Sequence, residues 1–535
     1  MNSKYFKNKK AIAAPMLALL LLAGSCKKFT DLQPNNQFSE TSAFSSADRV
    51  SLAVTGVYSA MQAGAYTDGT NRGYPFGAAN VCQGEARGED FIAVPSFFLI
   101  TYQGDYDATT ANNTAMWTTL YAGINRANVV IKGVQGAVAA GTISAAVGAA
   151  YEGECRFLRA LAYHELLIHF AKPYSDDPSA LGVPLQLTAV TGSPDVPAAS
   201  QVQRSTVAQC YTQILADLDF AETNLPAVPA IKITHASKGA AIALKTRIKL
   251  HMKDWAGVIA EGAKLGTGTV SATYTSPIGS YALTASPDGP FASVGANYSN
   301  PESIFSIENN TNRNSGTNGS ISTMFTKAPG RGLMVISPII YDAPFWTAND
   351  LRRTLLTTTD NRYWYTSKYK DPATFTDANP IIRYAEVLLN VAEAYSRTAA
   401  LSANAFSLLN AVRNRSVTAA ADRFASIASF ATANDLTQAI LNERRIEFLG
   451  EGRRWSDIHR LVTDPVFSTG GIPSKPSSAN ATFATYTIGK PYAGARSVAA
   501  IPYTGGAASY KFIWPIPVVE TNANPVLAAQ QNPGY

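Results

Sequence analysis

Three glutamates near the C-terminal end of the chain form the strongest candidate for a catalytic site. Glu443, Glu447 and Glu451 recur at four-residue intervals, so a helix would place them on one face. A pair of carboxylates can act as acid and base in glycoside hydrolysis, although such pairs normally flank the sugar from separate elements. Neighbouring arginines such as Arg444 and Arg454 should lower the pKa of these carboxylates and keep them ionised. The pattern favours a structural ion-pair network joining this helix to the C-terminal segment, with a surface glycoside hydrolase as the less favoured alternative.

Two histidines on a strongly periodic segment resemble a zinc site but have the wrong spacing. The zinc-protease motif needs histidines four residues apart, whereas His164 and His169 are five apart. They are therefore interpreted as histidines of a helix surface or core. The sequence also lacks a nucleophile elbow, a nucleotide-phosphate loop and a full dinucleotide fingerprint. We therefore predict a protein that is not an enzyme and has no metal or cofactor.

Aromatic residues in loops are the better candidates for a binding site. One group comprises Phe91, Phe97, Phe98, Tyr102 and Tyr106, and the other comprises Phe345 and Trp346 with Tyr363, Trp364 and Tyr365. Flat rings can stack on the apolar faces of sugar rings, and aromatic-lined grooves also bind peptides. The alternative is ordinary packing of loops on the core. The predicted ligand-binding residues are Trp346, Trp364, Tyr363, Tyr365, Phe98 and Tyr102.

The N-terminal residues have the pattern of a lipoprotein signal. Four lysines between residues 4 and 10 precede an apolar run over 11–22, which is shorter than the about 20 residues that span a bilayer. Small residues then lead to Cys26, although Ala23 and not leucine stands three residues before it. We expect cleavage after residue 25 and lipidation of Cys26, which would anchor the protein through lipid alone. A plain secreted protein is the alternative.

Charge and cysteine content exclude two further classes. The net charge of +6 falls to +2 once residues 1–25 are removed, because they contain four lysines and no acidic residue. No run of basic residues remains, so a nucleic-acid partner is not expected. The remaining cysteines, Cys82, Cys155 and Cys210, are too few and too scattered for a disulfide framework. They are expected to be buried small apolar residues.

Apolar residues at helical spacing predict a mainly α fold. The predicted helices cover residues 46–61, 117–131, 151–170, 205–225, 237–250, 255–265, 380–397, 404–415 and 435–450. Ser205 is the expected N-cap of the fourth helix. Paired helices of this length suggest a tetratricopeptide-like scaffold, although the signature residues of that repeat are not cleanly present. Long loop-rich insertions should carry minor short β elements, such as a strand over 303–307.

The change in composition along the chain suggests its organisation. We expect a signal peptide over 1–25, a lipid-anchored segment over 26–45 and a single domain over 46–535. Within that domain, 46–266 would form an N-terminal helical half and 380–535 the C-terminal helices and tail. Residues 267–379 are rich in Gly, Ser, Thr, Asn and Pro and would form a loop-rich ligand-binding insertion.

Five blocks in order resemble the SusD/RagB family of Bacteroidetes outer-membrane lipoproteins. They are 25–34 (SCKKFTDLQP), 153–160 (GECRFLRA), 382–394 (IRYAEVLLNVAEA), 443–458 (ERRIEFLGEGRRWSDI) and the terminal PIP and QNPGY at 515–517 and 531–535. Cys155 stands where the family usually has alanine. The resemblance covers nearly the whole chain after Cys26.

The resemblance implies a function as well as a fold. It implies a non-catalytic protein on the exterior face of the outer membrane that captures a glycan or oligosaccharide. It also implies a partner, a SusC-like TonB-dependent transporter, over which the lipoprotein would sit as a lid. The RagB branch leaves a peptide ligand as the alternative. Because the family's binding residues lie in variable loops, none is carried over by motif.

Overall fold

Helices dominate the computed structural model, which describes residues 40–63, 72–95, 97–228, 233–291, 299–398 and 400–535. The helices of nine or more residues in these ranges are α1 (Ala47–Ala63), α2 (Ala78–Ala86), α3 (Ala111–Ala139), α4 (Ala145–Phe170), α5 (Val207–Asn224), α6 (Lys238–His251), α7 (Trp255–Lys264), α8 (Tyr384–Thr398), α9 (Ala403–Ser416), α10 (Ala433–Glu447) and α11 (Arg453–Leu461). Shorter α-helices are Glu40–Ala43, Leu99–Gln103, Val196–Ala199, Gly316–Gly319, Ile321–Phe325, Pro338–Tyr341, Leu351–Leu355, Val518–Ala523 and Pro525–Ala528. In this described part of the chain, no helix is both long and apolar enough to cross a membrane. The predicted signal peptide and Cys26 lie outside the described residues.

Consecutive long helices pack against each other and confirm the mainly α helix-pair scaffold. Helix α3 packs on α4, α4 on α5, α5 on α6 and α6 on α7. The stack continues through α8, which contacts α7, α9 and α10. Each helix buries an apolar stripe that would be exposed in isolation, so the stack supplies one long core.

Helix ends follow local capping chemistry. Helix α6 begins after Ser237, whose Oγ accepts a hydrogen bond from the backbone N–H of Ala240 at 3.1 Å. Helix α5 is capped by Thr206 and not by Ser205, which corrects the prediction by one residue. The reason is that Gln209 stands three residues after Thr206, so the two residues form a reciprocal capping box.

The bounds of two helices differ from the prediction, one at its start and one at its end. The segment predicted as helix from residue 380 begins as a strand, because 379–383 pairs with another strand before α8 starts. Helix α10 stops at Glu447, and α11 starts after Gly452. Gly450 and Gly452 have φ angles of 80° and 75°, a conformation that only glycine adopts without strain. Helix α10 therefore ends three residues before the predicted bound of 450, and α11 is a separate helix that the sequence pattern did not predict.

The β elements are short, as predicted. They are β1 (Phe91–Ala93), β2 (Leu181–Pro184), β3 (Arg204–Thr206), β4 (Ser303–Ile307), β5 (Met334–Ile336), β6 (Thr357–Thr359), β7 (Trp364–Thr366), β8 (Asn379–Arg383), β9 (Gly471–Ile472) and β10 (Ile501–Pro502). A four-stranded sheet has the order β1-β5-β7-β6, and the other pairs are β4-β8, β2-β3 and β9-β10, all antiparallel. Strand β4 has the predicted bounds.

The interior contains groups that the sequence placed there. Cys82, Cys155 and Cys210 are buried and free, which confirms their interpretation as small apolar core residues. Burial raises the pKa of the Cys210 thiol to about 11. The main core runs from α1 to the C-terminal helices and includes strands β4 and β5 from the segment 267–379. The assignment of that segment as a ligand-binding insertion stays a prediction.

Candidate functional site

The glutamate cluster of α10 is a buried ion-pair network. Arg352 Nη1 lies 2.6 Å from Glu443 Oε1 and 3.0 Å from Glu447 Oε2. Arg383 Nη1 lies 2.9 Å from Glu447 Oε1, and its Nη2 lies 2.8 Å from Glu451 Oε1. All these side chains are buried, so the cluster contributes to the interior and presents no carboxylate to solvent.

The predicted ion-pair network is confirmed, but the partners of its glutamates differ from those expected. The arginines paired with Glu447 are Arg352, Arg383 and Arg415, which precede α10 in the chain and do not belong to the segment after it. Burial would raise the pKa of Glu447, but the Arg415, Arg383 and Arg352 guanidiniums outweigh it and hold the pKa well below its usual range. The link from α10 to α11 is made instead by Arg444, whose Nε donates to Asp457 Oδ2 at 3.0 Å.

The two histidines of α4 are core residues, as interpreted from their spacing. The His164 ring centroid lies 4.6 Å from that of His251 in an edge-to-face contact, and burial lowers the pKa of His164 to about 3. His169 Nε2 lies 3.2 Å from Glu165 Oε1. Among the described residues, no three side chains of His, Cys, Asp or Glu converge as metal ligands.

An aromatic stack on β7, an inner strand of the four-stranded sheet, reaches solvent. The ring of Trp364, on β7, lies 4.6 Å from the Tyr341 ring with an interplanar angle of 23°. The ring of Phe483 is also stacked with Trp364, with a distance of 6.2 Å between the ring centroids and an interplanar angle of 21°. Trp364 is half-buried, and 42% of the Phe483 surface is exposed. We refer to Tyr341, Trp364 and Phe483 as the aromatic stack.

Polar groups border the stack in the turn between β6 and β7. Asp360, Asn361 and Arg362 are exposed there, immediately before Tyr363 and Trp364. Asp360 Oδ1 accepts the backbone N–H groups of Arg362 and Tyr363, both at 2.9 Å, which holds the turn in shape. The Arg362 guanidinium lies 4.9 Å from the centroid of the Tyr363 ring.

One segment brings the two predicted aromatic groups together. Residues 475–487, which we call the cover segment, cross both groups. The Tyr102 hydroxyl donates a hydrogen bond to the backbone oxygen of Pro476 at 2.5 Å. The Tyr363 hydroxyl donates to the backbone oxygen of Ser478 at 3.2 Å. At its other end, Tyr486 donates its hydroxyl to the Ile336 carbonyl of β5 at 2.7 Å. The cover segment also supplies Phe483 to the stack.

The structure buries most of the predicted ligand-binding residues. Phe98, Tyr102 and Trp346 are each 1% exposed, and Tyr363 and Tyr365 are also buried. Trp346 lies beneath Arg353, whose guanidinium is 4.3 Å from the ring centroid. Of the six predicted residues, Trp364 is the one with partial exposure. Of the buried ones, Trp346 contacts Tyr341 of the stack, and Tyr102 and Tyr363 hold the cover segment.

Phe483 was missed because it stands alone in the tail. Its neighbours are Thr482 and Ala484, and the next aromatic residue along the chain is Tyr486. The available signal was an isolated aromatic residue within a run of small and polar ones, which is also common in ordinary loops. Only the path of the cover segment places its ring beside Trp364.

Comparisons with known proteins agree with this architecture. The model of the family described as "SusD family" matches residues 356–535, and the model described as "Starch-binding associating with outer membrane" matches 28–250. A SusD superfamily protein of Bacteroides fragilis is 29% identical over 90% of this chain and 99% of its own, with a TM-score of 0.71. The surface glycan-binding protein A of Bacteroides uniformis shares the fold, at 20% identity and a TM-score of 0.66 over 91% of this chain and 99% of its own.

A curated relative supports the same assignment over a shorter stretch. The SusD-like protein P2 of Formosa agariphila is 36% identical over 98 residues, which are 18% of this chain. The match spans 19% of that relative's length. Together with the two family models and the full-length structural likeness, it shows that this chain belongs to the SusD/RagB family.

Proposed function

We propose that this protein is a non-catalytic cell-surface binder that captures a glycan or oligosaccharide and delivers it to a SusC-like TonB-dependent transporter. The observation that carries the proposal is the aromatic stack, whose outer ring, Phe483, is exposed beside the half-buried Trp364. Relatives described as starch-binding and as surface glycan-binding support the same ligand class.

Capture would combine ring stacking with hydrogen bonds. An apolar face of a pyranose ring would lie on Phe483 and Trp364, while hydroxyl groups would meet Asn361 and Arg362. The buried residues of the predicted set, such as Trp346 and Tyr363, would act by fixing the stack and the cover segment. A surface of this kind holds its ligand reversibly, as delivery to a transporter requires.

Attachment would keep the binder next to its transporter. A lipid on Cys26 would tether the protein to the outer membrane, facing the cell exterior. Because tethering converts capture and transfer into events between neighbours, it raises the effective concentration of one partner around the other. The partner is tested by purifying the transporter complex from outer membranes and asking whether Cys26→Ala loses it.

The non-catalytic assignment rests on where the carboxylates lie. The side chains of Glu443 and Glu447 are 1% and 3% exposed and are paired with arginines. A general acid in glycoside hydrolysis must reach the glycosidic oxygen, which buried and ion-paired groups do not. Detectable hydrolysis of a bound polysaccharide that disappears in Glu447→Gln would overturn this assignment.

The binding site is tested by affinity electrophoresis on a panel of neutral and acidic polysaccharides. We expect one polysaccharide to retard the protein, and both Phe483→Ala and Trp364→Ala to weaken this retardation at least about fivefold in Kd, since stacking of a ring on an aromatic side chain, as known for nucleic-acid bases, contributes roughly 1–3 kcal/mol. Phe97→Ala is the matched control, because Phe97 is 48% exposed but lies outside the stack. Unchanged affinity in both stack variants would contradict the placement.

A peptide is the alternative ligand, as in the RagB branch of the family. Aromatic-lined surfaces also accept extended peptides, so the stack alone does not choose between the two classes. Calorimetric titration with a tryptic digest of casein, in parallel with the retarding polysaccharide, distinguishes them. Binding of the digest and of no polysaccharide would assign the protein to peptide uptake.

A further inference from the structure

A cavity lies between α3 and the two short helices Val518–Ala523 and Pro525–Ala528. It shares no residue with the aromatic stack. It has a volume of about 300 Å³ and is lined by Trp117, Tyr121, Val190, Val196, Glu520 and Leu527, among others. This volume is at the lower end of the range for small-molecule sites. The side chain of Val196, on the rim, is half exposed, so the cavity is open to solvent.

The side-chain amides and hydroxyls of this cavity already have hydrogen-bond partners in the backbone. Tyr121 donates to Pro184 O, Asn125 exchanges two bonds with Val190, Gln186 donates to Ala199 O, Ser200 donates to Pro197 O and Asn524 accepts from Val526 N, at 2.8–3.1 Å. These groups hold the walls in place. Because each is already committed to at least one backbone group, they are less free to replace the hydrogen bonds to water that the hydroxyls of a sugar would lose on entering.

Glu520 is the exception among the polar groups. In the described part of the chain, no cationic side chain is among the groups that act on its carboxyl. Burial raises the pKa of Glu520, and the neighbouring indole N–H of Trp117 offsets this only in part. The cavity thus contains one carboxyl group without a counter-charge, beside the two aromatic side chains Trp117 and Tyr121, whose ring centroids are 4.8 Å apart.

This combination fits a cation better than any neutral molecule. A carboxylate supplies the charge complement, and aromatic rings attract cations through their negative faces. The apolar remainder of the wall, including Val190, Val196 and Leu527, suits a short carbon skeleton. We propose that the cavity binds a small organic cation, with its ammonium group paired to Glu520 and its carbon atoms packed on Trp117 and Tyr121. The proposal goes beyond glycan capture and does not depend on it.

Calorimetry on the purified full-length protein tests the proposal with choline as the probe. Its neutral isostere, 3,3-dimethylbutan-1-ol, has the same shape without the charge. We expect choline to bind with one-to-one stoichiometry and to quench tryptophan fluorescence, and the isostere to bind at least tenfold more weakly. The proposal would be overturned if choline showed no saturable binding up to 10 mM, or if the isostere bound with equal affinity. Binding of glucose in place of choline would do the same.

The variant Glu520→Gln separates the charge from the shape of the side chain. We expect it to lose at least tenfold in choline affinity and to keep its weak affinity for the isostere. Asp48→Asn, which neutralises an exposed acid on α1, is the control and should bind choline as the wild type does. Full choline affinity in Glu520→Gln would overturn the proposal. If Glu520→Gln does not fold, the comparison of choline with its isostere on the wild type decides alone.

Discussion

Glu447 shows how residues of opposite charge are buried together in this protein. Its carboxylate accepts hydrogen bonds from Arg352, Arg383 and Arg415 at 2.7–3.0 Å and is 3% exposed. Removing charges from water is costly, and the pairing offsets that cost only when each charge keeps its partners. The stability of this region therefore depends on Glu447 and all three arginines being present together.

The change Glu447→Gln tests this dependence. It leaves three buried guanidiniums with one fewer negative charge, and we expect the free energy of unfolding to fall by roughly 3–5 kcal/mol. Urea denaturation monitored by circular dichroism measures it. Lys172→Gln is the control, because the Lys172–Asp176 pair is at the surface and should contribute no more than about 1 kcal/mol. Equal stability of Glu447→Gln and wild type would contradict the expectation.

Trp346 and Phe483 distinguish a supporting residue from an exposed one. Trp346 is buried under Arg353, so Trp346→Ala should lower the free energy of unfolding by roughly 3–5 kcal/mol through cavity formation. Phe483→Ala, at an exposed position, should change it by less than about 1 kcal/mol. Thermal melts of both variants make the comparison. A Trp346→Ala protein with wild-type stability but lost glycan binding would show that Trp346 itself meets the ligand.

At the scale of elements, local signals decide where helices start and long-range contacts decide where loops lie. The capping box of Thr206 and Gln209 depends only on residues three apart. The cover segment depends on partners such as Tyr102 and Ile336, more than a hundred residues distant along the chain. Helix starts should therefore respond to single local changes, whereas the cover segment should respond to changes in the sheet beneath it.

The variant Thr206→Ala tests the local signal at α5. Loss of the side-chain oxygen leaves the N–H of Gln209 without its acceptor, which should lower stability by about 1 kcal/mol. Thr212→Ala, within the exposed face of the same helix, is the matched control and should be close to neutral or stabilising. Chemical denaturation of the two variants compares them, and identical changes in both would argue against a capping role.

At the scale of the whole molecule, four buried histidines gather where α4, α6 and α11 meet. Burial lowers the pKa of His164 and of His459 to about 3, and it also lowers the pKa of His169 and His251. The folded protein therefore resists taking up protons that the unfolded chain binds below its ordinary histidine pKa of about 6.5. In the opposite direction, burial raises the pKa of Glu85 to about 8 and that of Asp342 to about 6, so these carboxyls favour folding as the pH falls through those values.

The balance of these pKa shifts predicts that the folded protein loses stability as the pH falls below 6.5. Each of the four buried histidines should remove stability below pH 6.5 by up to roughly 1.4 kcal/mol per pH unit, which outweighs the opposing contributions of carboxyls with a raised pKa, such as Glu85 and Asp342. We expect the midpoint of thermal unfolding to fall steadily between pH 7 and pH 5. His164→Leu should give a shallower dependence, since one proton fewer is taken up on unfolding. A midpoint independent of pH over this range would contradict the assignment.

The sequence by itself determined the helices, the core cysteines and histidines, the ion-paired character of the glutamates and the family. These features depend on residues within one or two turns of each other, or on blocks whose order along the chain is directly readable. Only the tertiary structure decided that Trp346 is buried, that Phe483 completes the aromatic stack, that Glu447 meets arginines from three other segments, and that Glu520 faces Trp117 in a cavity. Those outcomes depend on the paths of loops between elements, which helical periodicity does not specify.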